Sequence, residues 1–235
     1  MKRFHLIALP LAAILAGPAS AAVFIASETL SSNNEVGDPP TAGLSRVLTV
    51  TTPVQSLADL TVVLDLGSAP GDIAWSGDLF VQLTSPQGTS IVLINRPGLS
   101  PTDPVSGYGD AGFSVSISEA APHDIHQYQT FGYTLNASQQ LTGFWQPDGR
   151  IDATSSTRSN GINPVFGENP NGQWTLFVSD LGSGNTARLN SWSITGSDVA
   201  AVPEPEETAL AAGLVLGAAA IWLQQRKRKA SLSRC

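Results

Sequence analysis

Apolar and polar side chains alternate in short runs along the middle of this chain. Leu60, Val62, Leu64 and Leu66 are interleaved with Thr61, Val63 and Asp65. Leu79, Val81 and Leu83 repeat the pattern, and Ile91 and Leu93 follow after Ser85-Pro86-Gln87-Gly88. Trp174, Leu176 and Val178, then Trp192 and Ile194, close the series. A period of two residues, bounded by Gly, Pro, Asn and Asp, places one side chain in two against a core and predicts antiparallel strands. No stretch between Ala22 and Val202 carries a sustained helical period. Many short strands joined by Gly/Pro turns predict an all-β, antiparallel β-sandwich or jelly roll. Residues 22–43 read as an N-terminal segment that is partly loop, with one edge strand at Val23–Ala26; residues 154–164 read as an inserted surface loop.

The two ends follow different rules. Lys2 and Arg3 precede an apolar run from Leu6 to Leu15, and Ala19-Ser20-Ala21 is a small-x-small cleavage site. These features predict a secretory signal peptide over residues 1–21, removed by signal peptidase. At the other end, Val202-Pro203-Glu204-Pro205 leads into an Ala/Gly-rich apolar stretch, 208–223, and then Arg226-Lys227-Arg228-Lys229. Prolines hold the backbone extended and open to a protease, because Pro cannot enter a helix interior. The apolar stretch would cross the bilayer as a helix of ~24 Å, short of a ~30 Å hydrocarbon core, and the cations would stop its translocation. A short span of this kind suits a temporary anchor; a permanent single-span anchor is the alternative.

In its order of parts, the segment 199–235 resembles the PEP-CTERM sorting signal of Gram-negative bacteria. The resemblance implies processing near Pro203–Pro205 by an exosortase, with a transient inner-membrane anchor and a destination at the cell surface or outside the cell. It also implies an association with extracellular polysaccharide matrix and biofilm.

Charge and cysteine content narrow the function classes. The chain has 12 basic and 19 acidic residues; the leader carries Lys2 and Arg3, and the tail carries five cations and three acids. The middle is left with sixteen acids against five arginines (Arg46, Arg96, Arg150, Arg158, Arg188) and no lysine. Such a surface repels nucleic acid and anionic lipid. Cys235 is the sole cysteine and lies in the tail, so the mature region can hold no disulfide and must stand on its core.

Two stretches are more specific than a generic strand. One is Trp75-Ser76-Gly77-Asp78-Leu79-Phe80-Val81-Gln82-Leu83-Thr84-Ser85-Pro86-Gln87-Gly88-Thr89. The other runs from Gly167-Glu168-Asn169-Pro170-Asn171-Gly172-Gln173-Trp174-Thr175-Leu176 to Leu189-Asn190-Ser191-Trp192-Ser193. Together they resemble the P/Homo B domain, the jelly-roll module that follows the catalytic domain in subtilisin-like proprotein convertases, over roughly residues 45–197 and within an expected domain of 44–198. Two positions depart from that family: Ile73 stands where a His is common, and Gly184-Asn185-Thr186-Ala187 replaces a Gly-Asp-Thr-Gly. The second change removes a carboxylate.

Candidate chemistry is sparse. A subtilisin-like catalytic domain needs several hundred residues and a separate Asp, His and Ser, and the middle of the chain has only His123 and His126. The expected protein is therefore not an enzyme. His123-Asp124-Ile125-His126 reads as a solvated polar loop in preference to a zinc site. Ca²⁺ is the candidate metal, with Asp78, Asp110, Glu119 and Asp180 as oxygen ligands near strand ends or in Gly-rich loops. Trp75, Tyr108 and Trp145 are candidates for an aromatic stacking surface, whereas Trp174 and Trp192 carry the strand phase of core residues. Three functions follow: an exported structural or interaction module of the envelope or polysaccharide matrix, an accessory domain to a subtilisin-like protease, or a carbohydrate-binding module.

Overall fold

The computed structural model describes residues 21–37 and 43–199. The expected leader up to Ser20, with Ala19, and the sorting tail with Val202, Pro203, Glu204 and Pro205 lie outside the described residues, as does the span 208–223. Among the described residues no helix is long and apolar enough to cross a membrane.

Residues 22–199 fold as one unit of ten strands in two facing sheets. The strands are β1 (Val23–Thr29), β2 (Glu35–Val36), β3 (Leu44–Val50), β4 (Asp59–Ser68), β5 (Leu79–Thr84), β6 (Ser90–Asn95), β7 (Phe113–Ile117), β8 (Leu141–Trp145), β9 (Gly172–Asp180) and β10 (Ala187–Ser197). Sheet A has the order β1-β10-β4-β7-β8, with β2 also on β10; sheet B has the order β3-β9-β5-β6. The alternating residues named above point inward: Leu60, Val62, Leu64 and Leu66 of β4 are buried against Leu79, Val81 and Leu83 of β5 and Leu176 and Val178 of β9.

Trp174 and Trp192 are consecutive in the strand series, yet they enter the core from opposite sheets, on β9 and β10, and both are fully buried. A buried indole N–H needs an acceptor. Trp174 Nε1 donates to Pro170 O at 2.9 Å, and Trp192 Nε1 donates to Glu28 Oε2 at 2.9 Å. That second bond reaches β1. Glu28 also pairs with Arg46 on β3, which holds its carboxyl below the usual range against the opposing effect of burial. One carboxylate thus fastens the edge strands of both sheets to a core tryptophan.

The turn chemistry matches the sequence. Ser85-Pro86-Gln87-Gly88-Thr89 closes the β5–β6 hairpin, with Ser85 N donating to Thr89 O at 2.9 Å and Gly88 at φ +87. Gly88 supplies the left-handed backbone that other residues adopt at a cost.

One pairing departs from the all-antiparallel expectation. β8 lies parallel to β7, from Phe113↔Leu141 to Ile117↔Trp145. Parallel neighbours need a crossover connection, and residues 118–140 provide it. That connection carries the 3-10 turn Ile125–Thr130, which buries Ile125, His126 and Tyr128. The N-terminal segment also holds more strand than its polar composition indicates, because β1 pairs with β10 over its whole length and Phe24, Leu30 and Val36 are buried.

Ala22 N donates to Asp198 Oδ1 at 2.7 Å, and Asp198 N donates to Ala22 O at 3.2 Å. The unit therefore begins and ends side by side, at the far end of β10 from the loops that precede β5, β7 and β10. Replacing Trp174 by Ala opens a cavity between the sheets. The expected loss is about 3–5 kcal/mol, read as a lower urea midpoint with an unchanged slope in equilibrium unfolding followed by tryptophan fluorescence.

Candidate functional site

Three connections meet at one end of the sandwich: 69–78 between β4 and β5, 96–112 between β6 and β7, and 181–186 between β9 and β10. They are joined by backbone and side-chain hydrogen bonds. Ala69 N donates to Thr186 O at 2.9 Å, Thr186 N to Asp72 Oδ2 at 2.8 Å, and Leu181 N to Asp78 O at 2.8 Å. Across the other seam, Ser76 N donates to Asp110 O at 2.9 Å and Gly77 N to Tyr108 O at 2.7 Å. Gly77 is required there, since a Cβ would fall 2.6 Å from Ser106 O.

Arg96 ties the same loops at a strained backbone position, φ +47. A non-Gly residue with positive φ is uncommon, and here its side chain is fully engaged. Arg96 Nε donates to Gly77 O at 3.1 Å, and Nη2 donates to Asp78 Oδ1 and Val105 O, both at 3.3 Å. Asp180 brackets the neighbouring loop: its Oδ1 accepts from Gly182 N at 3.1 Å, and a Cβ on Gly182 would stand 2.1 Å from Asp78 Oδ2.

Asp110 accepts from Tyr128 Oη at 2.6 Å and from Gln129 Nε2 at 2.7 Å. Burial, then the bond to Asp110, pushes the Tyr128 phenol far above its ordinary range, so it remains the donor. Tyr108 packs edge-on to Tyr128 at 4.7 Å and lies over Gly98, where a Cβ would meet its ring at 2.5 Å. Trp75 is 38% exposed, with Nε1 donating to Ser106 O at 3.1 Å. Ile73, Val105 and Leu181 are exposed on the same three loops.

Five of the sequence candidates therefore gather at this end: Asp78, Asp110, Asp180, Trp75 and Tyr108. Two do not. Glu119 accepts both oxygens' worth of contact from Arg158 Nη2, at 3.0 and 3.1 Å, and takes Ile162 N at 2.6 Å, pinning the 154–164 loop. Trp145 is 4% exposed and packs in the core on Tyr128. It has no face for a ligand, which corrects the expected stacking surface of Trp75, Tyr108 and Trp145. The four expected calcium ligands likewise do not converge on one ion. Asp78 already faces the Arg96 guanidinium, Asp110 is bonded to Tyr128, and Glu119 lies with Arg158. Among the described residues no group of three or more His, Cys, Asp or Glu is disposed to hold a metal.

The reading of His123–His126 as a solvated loop holds for one histidine only. His123 is exposed and stacks on Phe131 at 4.1 Å. His126 is fully buried, with Nδ1 2.7 Å from Asp148 Oδ2 and Nε2 2.9 Å from Leu99 O. A carboxylate and a carbonyl both only accept, so both ring nitrogens must donate. The imidazolium form satisfies both contacts. Asp148 is shared with Arg150, whose Nη1 lies 3.2 Å from Asp148 Oδ1 and whose Nη2 lies 2.7 Å from Asp124 Oδ2. Asp124 also accepts from His126 N at 2.9 Å, which closes the network. No sequence signal pointed to it, because Asp148 and Arg150 are remote in sequence from His126 and form no spaced motif.

Burial alone would lower the His126 pKa; the hydrogen bond and charge of Asp148, with the Leu99 carbonyl, outweigh it, and the net shift is upward. A raised folded-state value means stabilisation that is complete below the unfolded value of about 6.5 and is lost as pH rises through the folded value. His126→Gln breaks a buried ion pair, for which about 3–5 kcal/mol is typical. The difference in melting temperature between the natural protein and His126→Gln should be largest near pH 6 and narrow toward pH 9, measured by circular dichroism.

Most of the candidate residues thus sit in connections at one end of a two-sheet, all-β module. The chain belongs to the proprotein convertase P-domain family, whose family model matches residues 71–196, more than half of its length. No curated protein matches it in sequence. Among solved structures it is similar to the serine protease of Aeromonas sobria, with 17% identity and a TM-score of 0.44 over 80% of this chain and 29% of that one. It is also similar to the complex of the Aeromonas sobria serine protease with its chaperone, with 16% identity and a TM-score of 0.43 over 79% of this chain and 28% of that one. The chain thus spans less than a third of the length of these solved structures.

Proposed function

We propose that this protein is a non-catalytic, exported binding module that presents its three-loop end to a partner at the cell envelope or in an extracellular polysaccharide matrix. The observation that carries this reading is the separation of its two ends. Residues 22 and 198 leave the sandwich together, while the loops 69–78, 96–112 and 181–186 lie at the opposite end of β10. Eleven extended residues of β10 span roughly 35 Å at ~3.3 Å each.

In this reading residues 1–21 are the leader, 44–198 the P-domain-like module, and 199–235 the sorting signal processed by an exosortase-type enzyme. Export from a Gram-negative cell, with a transient inner-membrane anchor, follows from the order of Pro-Glu-Pro, apolar span and basic end. Replacing Pro203, Glu204 and Pro205 by Ala should leave the full chain unprocessed in the membrane fraction. Equal release of the variant and the natural protein into the medium would remove the sorting assignment.

Membership of the proprotein convertase P-domain family favours a second reading, an accessory role toward a separately encoded serine endopeptidase. The two readings separate on capture of partners by the full chain from its own envelope and matrix. Protease enrichment favours the accessory role, and polysaccharide enrichment favours the matrix role. In either case Trp75→Ala should weaken capture about tenfold, ~1.4 kcal/mol, if the three-loop end is the contact face. Ca²⁺ remains a proposal for the Asp78–Asp180 pair alone, and removal of Ca²⁺ by chelation should then lower the melting temperature.

A further inference from the structure

We infer that the outer face of sheet B carries a second site, a groove for one unit of an uncharged saccharide. This rests on the reading of the protein as an exported binding module, and it names a ligand class and a place away from the three-loop end.

The groove has a volume of about 280 Å³ and is lined by Phe80 and Gln82 of β5, Ser90 and Val92 of β6, and Gly149, Ile151 and Asn160 of the connection after β8. Ligand pockets commonly measure ~300–1,000 Å³, so this one suits a single ring. Its floor is apolar. Phe80 is held edge-on by Phe177 at 6.4 Å, and across the sheet Phe177, Gln82 and Val92 stand in one register row. Ile151 forms a wall and is 80% exposed. Beside this floor sit two carboxamides, half-buried Gln82 and exposed Asn160, and among the described residues the Gln82 side chain has no hydrogen-bond partner. Gln82 differs in this from the buried or half-buried amides of Asn95, Asn171 and Gln140, which are bonded.

No charged side chain lines the groove, although sixteen acids lie between residues 22 and 199. Carboxylates and ammonium groups would find no counter-charge, and desolvating them would be costly. A sugar ring meets the opposite case. Its C–H face packs on Phe80 and Val92, while its hydroxyls both donate to and accept from amides. An extended peptide would need free backbone groups at a sheet edge, and the edge of β6 is covered: Gly149 N donates to Val92 O and Asp148 N to Leu93 O, both at 3.0 Å.

The wall is rigidly placed. Asn95 Nδ2 donates to Arg150 O at 3.0 Å and Ile151 O at 3.2 Å, directly above the Asp148–Arg150–His126 network. The ionic network therefore positions Ile151 and Gly149 without touching the ligand.

The test is affinity electrophoresis of the full chain in mild detergent, in native gels containing hydroxyethylcellulose, galactomannan or dextran, with polygalacturonate as the charged control. Retardation by at least one neutral polymer and by no polygalacturonate is expected. Gln82→Ala and Phe80→Leu should raise the retardation constant tenfold or more with unchanged melting temperatures. No retardation by any of the three neutral polymers overturns the proposal, as does retardation that survives Gln82→Ala. Trp75-dependent capture of a partner, together with no retardation by any neutral polymer, would leave the binding-module reading standing while the saccharide groove falls.

Discussion

The shared carboxylate of Asp148 is the constraint on which the irregular half of this molecule depends. The sheets can form from alternation alone, but the long connections 96–112, 118–140 and 146–171 have little apolar content with which to dock. Asp148 binds His126 from one connection and Arg150 from its own, and Arg150 returns to Asp124. Placing such ions out of water costs several kcal/mol each, and the cost is offset only where every charge is matched and the remaining hydrogen bonds are made. Here they are. The network acts less as a source of stability than as a choice of one arrangement among many for chain that would otherwise be loose.

The same economy of cations runs through the rest of the domain. Four of the five arginines are ion-paired, and Arg188 donates to Asn190 at 3.1 Å. Each of the four ion-paired arginines joins two separate segments of the chain. With no lysine between residues 22 and 199, cations serve as fasteners, and the unpaired acids keep the surface negative. A domain without disulfides gains its long-range ties this way, and the ties also fix the loops that any partner would touch.

The strands were legible because their period is set by burial, and burial leaves its mark on every second residue. Trp174 and Trp192 could be placed in the core from phase alone. Asp78, Asp110, Asp180, Trp75 and Tyr108 could be picked out as loop residues with chemistry, and the fold does gather them. Trp145 was misread because β8 is short and its pattern is diluted by Gly143 and Phe144, which face away from the core. His126 was misread because its partners arrive from Leu99 and Asp148, and no local spacing encodes a contact between separate connections. The parallel β7–β8 pair was hidden for a related reason: strand direction depends on the path of the crossover, which the alternation of side chains does not record.

The position of β10 has a mechanical consequence. It lies between β1 and β4, hydrogen-bonded along both edges, and its last residues lead straight to residue 199. A pull applied there runs along the strand, across hydrogen bonds that stand perpendicular to it on either side. The load is shared by two ladders at once, in shear, so no single bond must fail first. An anchored module of this design would resist drag as a riveted lap joint does, and would yield far sooner if it were pulled through β8, where the outermost bonds could open one after another.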